Sequence, residues 1–249
     1  MTFIHLPHGD IYFDTYGCGD PLLLLQGNTA SSASLHASGD IQYFSQYMQT
    51  IVFDNRGTGK SVREWNWPIE WYQQCAQDAI QILDLLGIKQ CRVIGSSGGA
   101  LVGFWLAVLD PDRIVSLIVD SFGLDYKYQM PAVIRDTRSN YNDGQIAFWR
   151  SNHGDDWQQV VEADTDFILR FAAAQTGEQV DIPLEIIQCP VLISGSESDD
   201  LVPNVVSQAD ITAKRIRKAK IYLHATGEHP FMWSEPEAFR EQARIFFDF

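Results

Sequence analysis

Short apolar runs alternate with longer stretches of helical spacing along most of this chain. Leu22-Leu23-Leu24-Leu25 is an unbroken apolar run, as in a strand buried on both faces. Segments 50–54, 91–94, 114–119, 190–195 and 220–224 have the same β-branched and aliphatic character and read as further strands. Segments 2–7 and 11–16 form a hairpin around His8-Gly9-Asp10. Apolar residues Trp71, Ala76, Ala79, Ile80, Ile82 and Leu83 recur at helical spacing and predict a helix over about 68–86, which Gly87 ends. Further helices are expected over 40–48, 99–109, 204–215 and 236–249, the last with Phe239, Ala243, Phe246 and Phe247 on its apolar side. Strands that alternate with helices predict an α/β fold, a mostly parallel sheet with helices on both faces.

The alternation breaks after Gly123. Residues 124–187 read as two to four amphipathic helices, interrupted at Tyr141-Asn142-Asp143-Gly144 and Ser151-Asn152-His153-Gly154. The expected organisation is a core of residues 1–123 and 188–249, with 124–187 as a small helical lid insertion over the carboxyl ends of the strands.

With 249 residues and 45% hydrophobic content, the chain can build one sizeable core, so disorder is excluded. A formal net charge of −14 argues against nucleic acid or an anionic membrane as a partner. No basic start precedes an apolar segment, and no apolar run is long enough to cross a bilayer. Cys18, Cys75, Cys91 and Cys189 are scattered without metal-binding spacing, and free buried thiols in a reducing cytoplasm are expected. No metal or organic cofactor is called for. The oligomeric state is left open.

The chemistry centres on Gly95-Ser96-Ser97-Gly98-Gly99, between an expected strand and an expected helix. A strand that turns directly into a helix holds its central residue strained and lifts its side chain clear of the backbone. Gly-x-Ser-x-Gly spacing makes Ser97 the candidate nucleophile; Ser96 has Ile94 two residues before it and is out of register. A serine hydroxyl needs a base, and the base needs an orienting acid. His229 is the candidate base, in a loop between the last strand and the last helix. His224 lies within the strand and reads as structural, while His5, His8, His36 and His153 read as surface or core residues. The acid is expected in Ser194-Gly195-Ser196-Glu197-Ser198-Asp199-Asp200-Leu201-Val202-Pro203. Asp199 is the choice there, with Asp200 and Glu197 as near alternatives and Asp120, after the preceding strand, as a second location.

The chain order Ser97, Asp199, His229 resembles that of the α/β-hydrolase superfamily. Asp54-Asn55-Arg56-Gly57-Thr58-Gly59-Lys60-Ser61 is similar to that family's Asp-x-Arg-Gly-x-Gly-x-Ser segment, and His229 through Phe239 resembles its last loop and helix. The resemblance implies two oxyanion N–H donors, one from Asn28 in the loop after Leu25 and one from Gly98, with side chains free to vary. Gln26-Gly27 stands where many members have His-Gly. Members similar to valacyclovir hydrolase (biphenyl-hydrolase-like) carry an acid at residue 98; Gly98 removes that anchor for an α-amino group. The Gly-x-Ser-Ser-Gly pattern also resembles lactone-cleaving members, in which the acid can sit near Asp120.

The expected function is therefore hydrolysis of an ester or lactone of a small, largely apolar substrate through an acyl-enzyme. Carbon–carbon bond hydrolysis or perhydrolysis on the same triad is the alternative, as is a hydrolase-fold receptor without turnover. The insertion carries Tyr126, Tyr128, Tyr141, Phe148, Trp149, Trp157, Phe167 and Phe171. Most of these are expected to form its own core, and some, such as Trp149, to line an acyl pocket. Phe231, Met232 and Trp233 directly follow the base and have the stronger claim to touch substrate.

Overall fold

The computed structural model describes residues 2–177 and 179–249. Met1, in the stretch read for a leader, and Glu178, in the expected insertion, lie outside them. In chain order the elements are β1 (Thr2–Leu6), β2 (Gly9–Tyr16), β3 (Pro21–Leu25), α1 (Ser32–Ala37), α2 (Asp40–Phe44), β4 (Gln49–Phe53), α3 (Trp71–Leu85), β5 (Cys91–Ser96), α4 (Gly98–Leu109) and β6 (Ile114–Asp120). Three helices follow, α5 (Tyr126–Arg138), α6 (Asp143–His153) and α7 (Trp157–Ala174). The chain closes with β7 (Val191–Ser196), α8 (Val205–Arg215), β8 (Ala219–His224), α9 (Phe231–Ser234) and α10 (Pro236–Phe247).

The eight strands form one sheet in the order β1-β2-β4-β3-β5-β6-β7-β8. The β1–β2 and β2–β4 pairs are antiparallel, and β3 to β8 run parallel. Side chains alternate between the two faces of a strand, so the unbroken apolar run in β3 serves two cores. Leu23 and Leu25 face the layer that holds Val93, Val119 and helices α3 and α4. Leu22 and Leu24 face Phe44 of α2 and Phe239, Ala243 and Phe247 of α10. Because both faces are covered, the parallel strands present only their carboxyl ends to a ligand.

Three local expectations change. The helix expected over 40–48 is shorter, α2 over Asp40–Phe44, with Gly39 at φ 78° just before it; α1 precedes it where no helix was expected, its start capped by Ser31, which accepts from the Ala33 N–H. The segment after His229 folds into the short α9 before α10 begins at Pro236. Cys18 is exposed rather than buried; Cys75, Cys91 and Cys189 are buried, and all four are free. Among the described residues, no helix is long and apolar enough to cross a membrane.

Backbones pack closely where β5 turns into α4. A Cβ on Gly99 would stand 2.4 Å from the Leu25 carbonyl oxygen, and one on Gly95 2.3 Å from the Gly99 carbonyl oxygen. Both obstacles are backbone and cannot swing aside. Gly99→Ala is therefore expected to destabilise the fold by about 1–3 kcal/mol, the usual range for overpacking, read as a lower midpoint in chemical denaturation.

Candidate active site

Ser97 sits between β5 and α4 with φ 54° and ψ −121°, outside the regions that ordinary residues favour. Its N–H is fixed on the Asp120 carbonyl at 2.8 Å, and its Oγ stands 3.0 Å from His229 Nε2. His229 Nδ1 lies 3.0 Å from Asp199 Oδ2 and 3.2 Å from Oδ1. The Asp199 side chain has 0% of its surface exposed and that of His229 11%. Asp199 also accepts the N–H groups of Leu201 and Val202, each at 2.9 Å. Burial by itself raises a carboxyl, but the hydrogen bond and charge of His229 and these two N–H groups outweigh it and hold Asp199 below its usual range. An ionised carboxylate only accepts, so Nδ1 carries the proton and Nε2 faces Ser97 Oγ with its lone pair.

The structure thus brings together Ser97, His229 and Asp199. It places the other candidate acids elsewhere. Asp200 accepts the backbone N–H of His229 at 2.9 Å. Asp120 is fully buried below the His229 loop, where it accepts from Ser194 Oγ at 2.8 Å and from the Met232 N–H at 3.1 Å. Burial pushes Asp120 up to about 7, against the pull of those two donors. Beside it, Ser121 Oγ takes the Phe231 N–H at 2.7 Å. Asp120 and Ser121 therefore hold the loop that carries the imidazole. Glu197 is exposed.

The loop after β3 lies directly against Ser97, with a Cβ on Gly27 reaching within 3.0 Å of Ser97 Cβ. Gly98 is the first residue of α4, so its N–H has no partner within the helix. A Cβ at residue 98 would stand 1.6 Å from Asn28 Oδ1 and 3.2 Å from the Asn28 backbone nitrogen. The two N–H-bearing backbones are therefore side by side, and the Asn28 amide fills the space that any larger residue 98 would need. The Asn28 side chain is not free: Oδ1 accepts from Tyr72 Oη at 3.1 Å, and Nδ2 donates to Asp164 Oδ1 at 2.5 Å.

A cavity of about 580 Å³ opens over Ser97 and His229. Its apolar walls include Tyr126, Met130 and Ile134 of α5, Phe148 and Trp149 of α6, Ile168 of α7, and Leu201, Val202 and Trp233. Trp149 and Trp233 line the cavity. Phe231 does not: it is fully buried among Tyr222, His224 and Phe239, because the α9 turn directs it into the core beneath the sheet. Met232 is buried in the same core. Trp157 stacks on Trp149 in a small cluster of the insertion itself, whereas Phe167 and Phe171 pack on Tyr72 of α3 and join the main core, so the expected separate insertion core holds for only some of these aromatics. Tyr128 points outward and is 63% exposed.

Sequence reasoning missed the polar groups that grip residues 28–31 from α6 and α7. Trp149 Nε1 donates to Thr29 Oγ1 at 3.1 Å, and Asn152 Oδ1 accepts both the Ser31 N–H at 2.8 Å and Ser31 Oγ at 2.7 Å. His153 Nδ1 accepts the Gly59 N–H at 3.0 Å, which leaves Nε2–H to donate to the Thr29 carbonyl at 3.0 Å. One signal was available. Asp164 falls on the buried stripe of α7 with Val160, Phe167 and Phe171, and a carboxylate on an apolar face implies a partner.

The sequence profile of the alpha/beta hydrolase fold family matches residues 20–145. A Caulobacter vibrioides protein provisionally named carbamate hydrolase RutD is 28% identical over 256 residues, covering 93% of each chain. The human serine hydrolase BPHL is 24% identical over 242 residues, covering 95% of this chain and 82% of its own. The structure of the esterase EaEST from Exiguobacterium antarcticum superposes with a TM-score of 0.77 at 19% identity, covering 100% of this chain and 99% of that one.

The His153 geometry has a measurable consequence. Burial pushes its imidazole down to about 4, against the pull of the Thr29 carbonyl, with Arg63 and Asp156 as the nearby charges. An unfolded histidine binds its proton below about 6.5. Between these values the unfolded chain holds a proton that the folded one lacks, so this contribution to stability is present above about 6.5 and is lost as the pH falls toward 4. Urea denaturation at pH 7.5 and pH 5 is expected to give a larger drop in stability for the wild type than for His153→Gln.

Proposed function

The chain belongs to the α/β-hydrolase fold family, and on that premise we propose that it is a serine hydrolase acting on a carboxylic ester or lactone of a small, largely apolar substrate. The observation that carries the reading is the continuous relay from Ser97 Oγ to His229 Nε2 at 3.0 Å and from Nδ1 to a buried Asp199 at 3.0 Å. The apolar cavity above it has the volume expected of a small-molecule site.

In this reading Ser97 Oγ attacks the substrate carbonyl as His229 Nε2 takes its proton. Asp199 keeps Nδ1–H in place and stabilises the imidazolium that forms. The carbonyl oxygen, now negative, is met by the N–H groups of Asn28 and Gly98, with the N-terminus of α4 adding its partial positive charge. The imidazolium passes the proton to the leaving oxygen, and the acyl group stays on Ser97. A water deprotonated by His229 then releases the acid and restores the serine. Residues 124–187 act as a lid insertion on the core of residues 1–123 and 188–249, supplying the apolar wall for the acyl group. Gly98 offers no carboxylate to an α-amino group, which favours an unsubstituted acyl chain over an aminoacyl one. The provisional name of the Caulobacter vibrioides relative adds aryl carbamates to the substrates worth assaying.

The test is turnover of p-nitrophenyl esters of increasing chain length, lactones and an aryl carbamate. Ser97→Ala is expected to lose about 10³-fold or more, retaining only binding and oxyanion contributions. Ser96→Ala should keep most activity; the reverse pattern would overturn the register. Asp199→Asn, in folded protein, should lose about 10⁴-fold, because the imidazole takes the wrong tautomer. Asp200→Asn and Asp120→Asn should lose far less.

A further inference from the structure

Residues 28–31 carry the Asn28 N–H, yet the core contributes little to holding them. Among the described residues, the hydrogen-bond partners of this segment outside the loop and the first turn of α1 are Tyr72, Trp149, Asn152, His153 and Asp164. Four of these five lie on α6 and α7. The loop also contains Thr29 at φ 55°, a left-handed conformation that a β-branched residue adopts only when its surroundings impose it. Trp149 and His153 bind the two oxygens of that one residue.

Asp164 closes this grip at Asn28. Its side chain is 0% exposed; Oδ1 accepts from Asn28 Nδ2 at 2.5 Å and Oδ2 from Arg138 Nη2 at 2.9 Å. Arg138 does not depend on it alone, since Nη1 also reaches Thr165 Oγ1 at 2.9 Å and the Val161 carbonyl at 3.3 Å, both on α7. An ion pair that only joined α5 to α7 would not need the second carboxylate oxygen on Asn28. With Tyr72 fixing Oδ1, the Asn28 amide is held at both ends, and the backbone N–H beside Gly98 is held with it.

We propose that Asp164 is a positioning residue that aims the Asn28 N–H at the developing oxyanion, so that the helices above the cavity set the geometry of the reacting centre as well as covering it. The assignment rests on the serine-hydrolase reading above. A donor shifted by about 1 Å can cost about 10²-fold in rate without loosening substrate binding.

The experiment compares wild type, Asn28→Ala, Asp164→Asn and the double variant. It measures kcat and KM for p-nitrophenyl butyrate, the rate at which a fluorophosphonate labels Ser97, and the melting temperature. In Asp164→Asn the amide nitrogen cannot accept, so either Asn28 or Arg138 loses its partner. Each single variant is expected to lower kcat and the labelling rate about 10- to 100-fold with KM held within about threefold. The double variant should be no slower than the slower single within about threefold, because both remove one interaction. The proposal is overturned if Asp164→Asn melts earlier yet keeps kcat and labelling within about twofold of wild type, or if the two losses multiply. Should Asp164→Asn fail to fold, an unchanged rate in Asn28→Ala overturns it equally. A wild type that neither turns over ester nor accepts the fluorophosphonate would sink the serine-hydrolase reading itself, an outcome distinct from any pattern among the variants.

Discussion

The structure depends on the close approach of three backbones around Ser97: the end of β3, the end of β5 and the first turn of α4. Leu25, Gly95 and Gly99 meet there at distances that leave no room for a Cβ. That contact forces the chain from strand to helix without an intervening loop, and Ser97 takes φ 54° as a result. The conformation is costly for a residue with a side chain. It persists because α4 is buried along most of its length and because the Ser97 N–H is fixed on Asp120. The same approach brings the Asn28 backbone beside the N–H of Gly98, which has no partner within α4. One packing constraint thereby exposes the hydroxyl and assembles the donors that face it.

Around that point the protein uses buried aspartates as fasteners. Asp54, after β4, accepts the N–H groups of Ser32 and Lys60, each at 2.7 Å. Asp120, at the end of β6, holds the segment after His229 through the Met232 N–H and is itself anchored to β7 by Ser194. Asp164, on α7, holds Asn28, and Asp199, after β7, holds the imidazole. Each is stripped of water, and each is compensated by two or more donors, which is the condition for burying a carboxylate. The loops at the carboxyl edge of the sheet are thus ordered by hydrogen bonds to buried carboxyl groups, while the sheet below them is ordered by apolar packing. The two regimes meet at the strand ends, where apolar side chains give out and backbone groups need partners.

Much of the fold was legible because its signals are local. Apolar runs and helical spacing located all eight strands and most helices, since each element displays its own period regardless of its neighbours. The short α1 was not anticipated, because its 6 residues make too few turns to display a helical period. Phe231 was misplaced for a different reason. Adjacency to His229 in the chain says nothing about direction once α9 turns the backbone away from the cavity.

The sequence by itself determined the candidates for the site. The Gly95–Ser97–Gly99 spacing between a strand and a helix, and the positions of Asp199 and His229 in loops that follow strands, are local patterns legible over a few residues. Only the tertiary structure decided which of several acids meets the imidazole. Asp120, Asp199 and Asp200 all lie at strand ends near His229, and they differ in the direction of a side chain, a detail set by where Leu201, Val202, Met232 and Ser194 place their donors. The tertiary structure also decided that Asn28 answers to Asp164, 136 positions away in the chain. Such a pairing leaves almost no local trace, because its energy comes from two polar groups that meet only after the insertion has packed against the core.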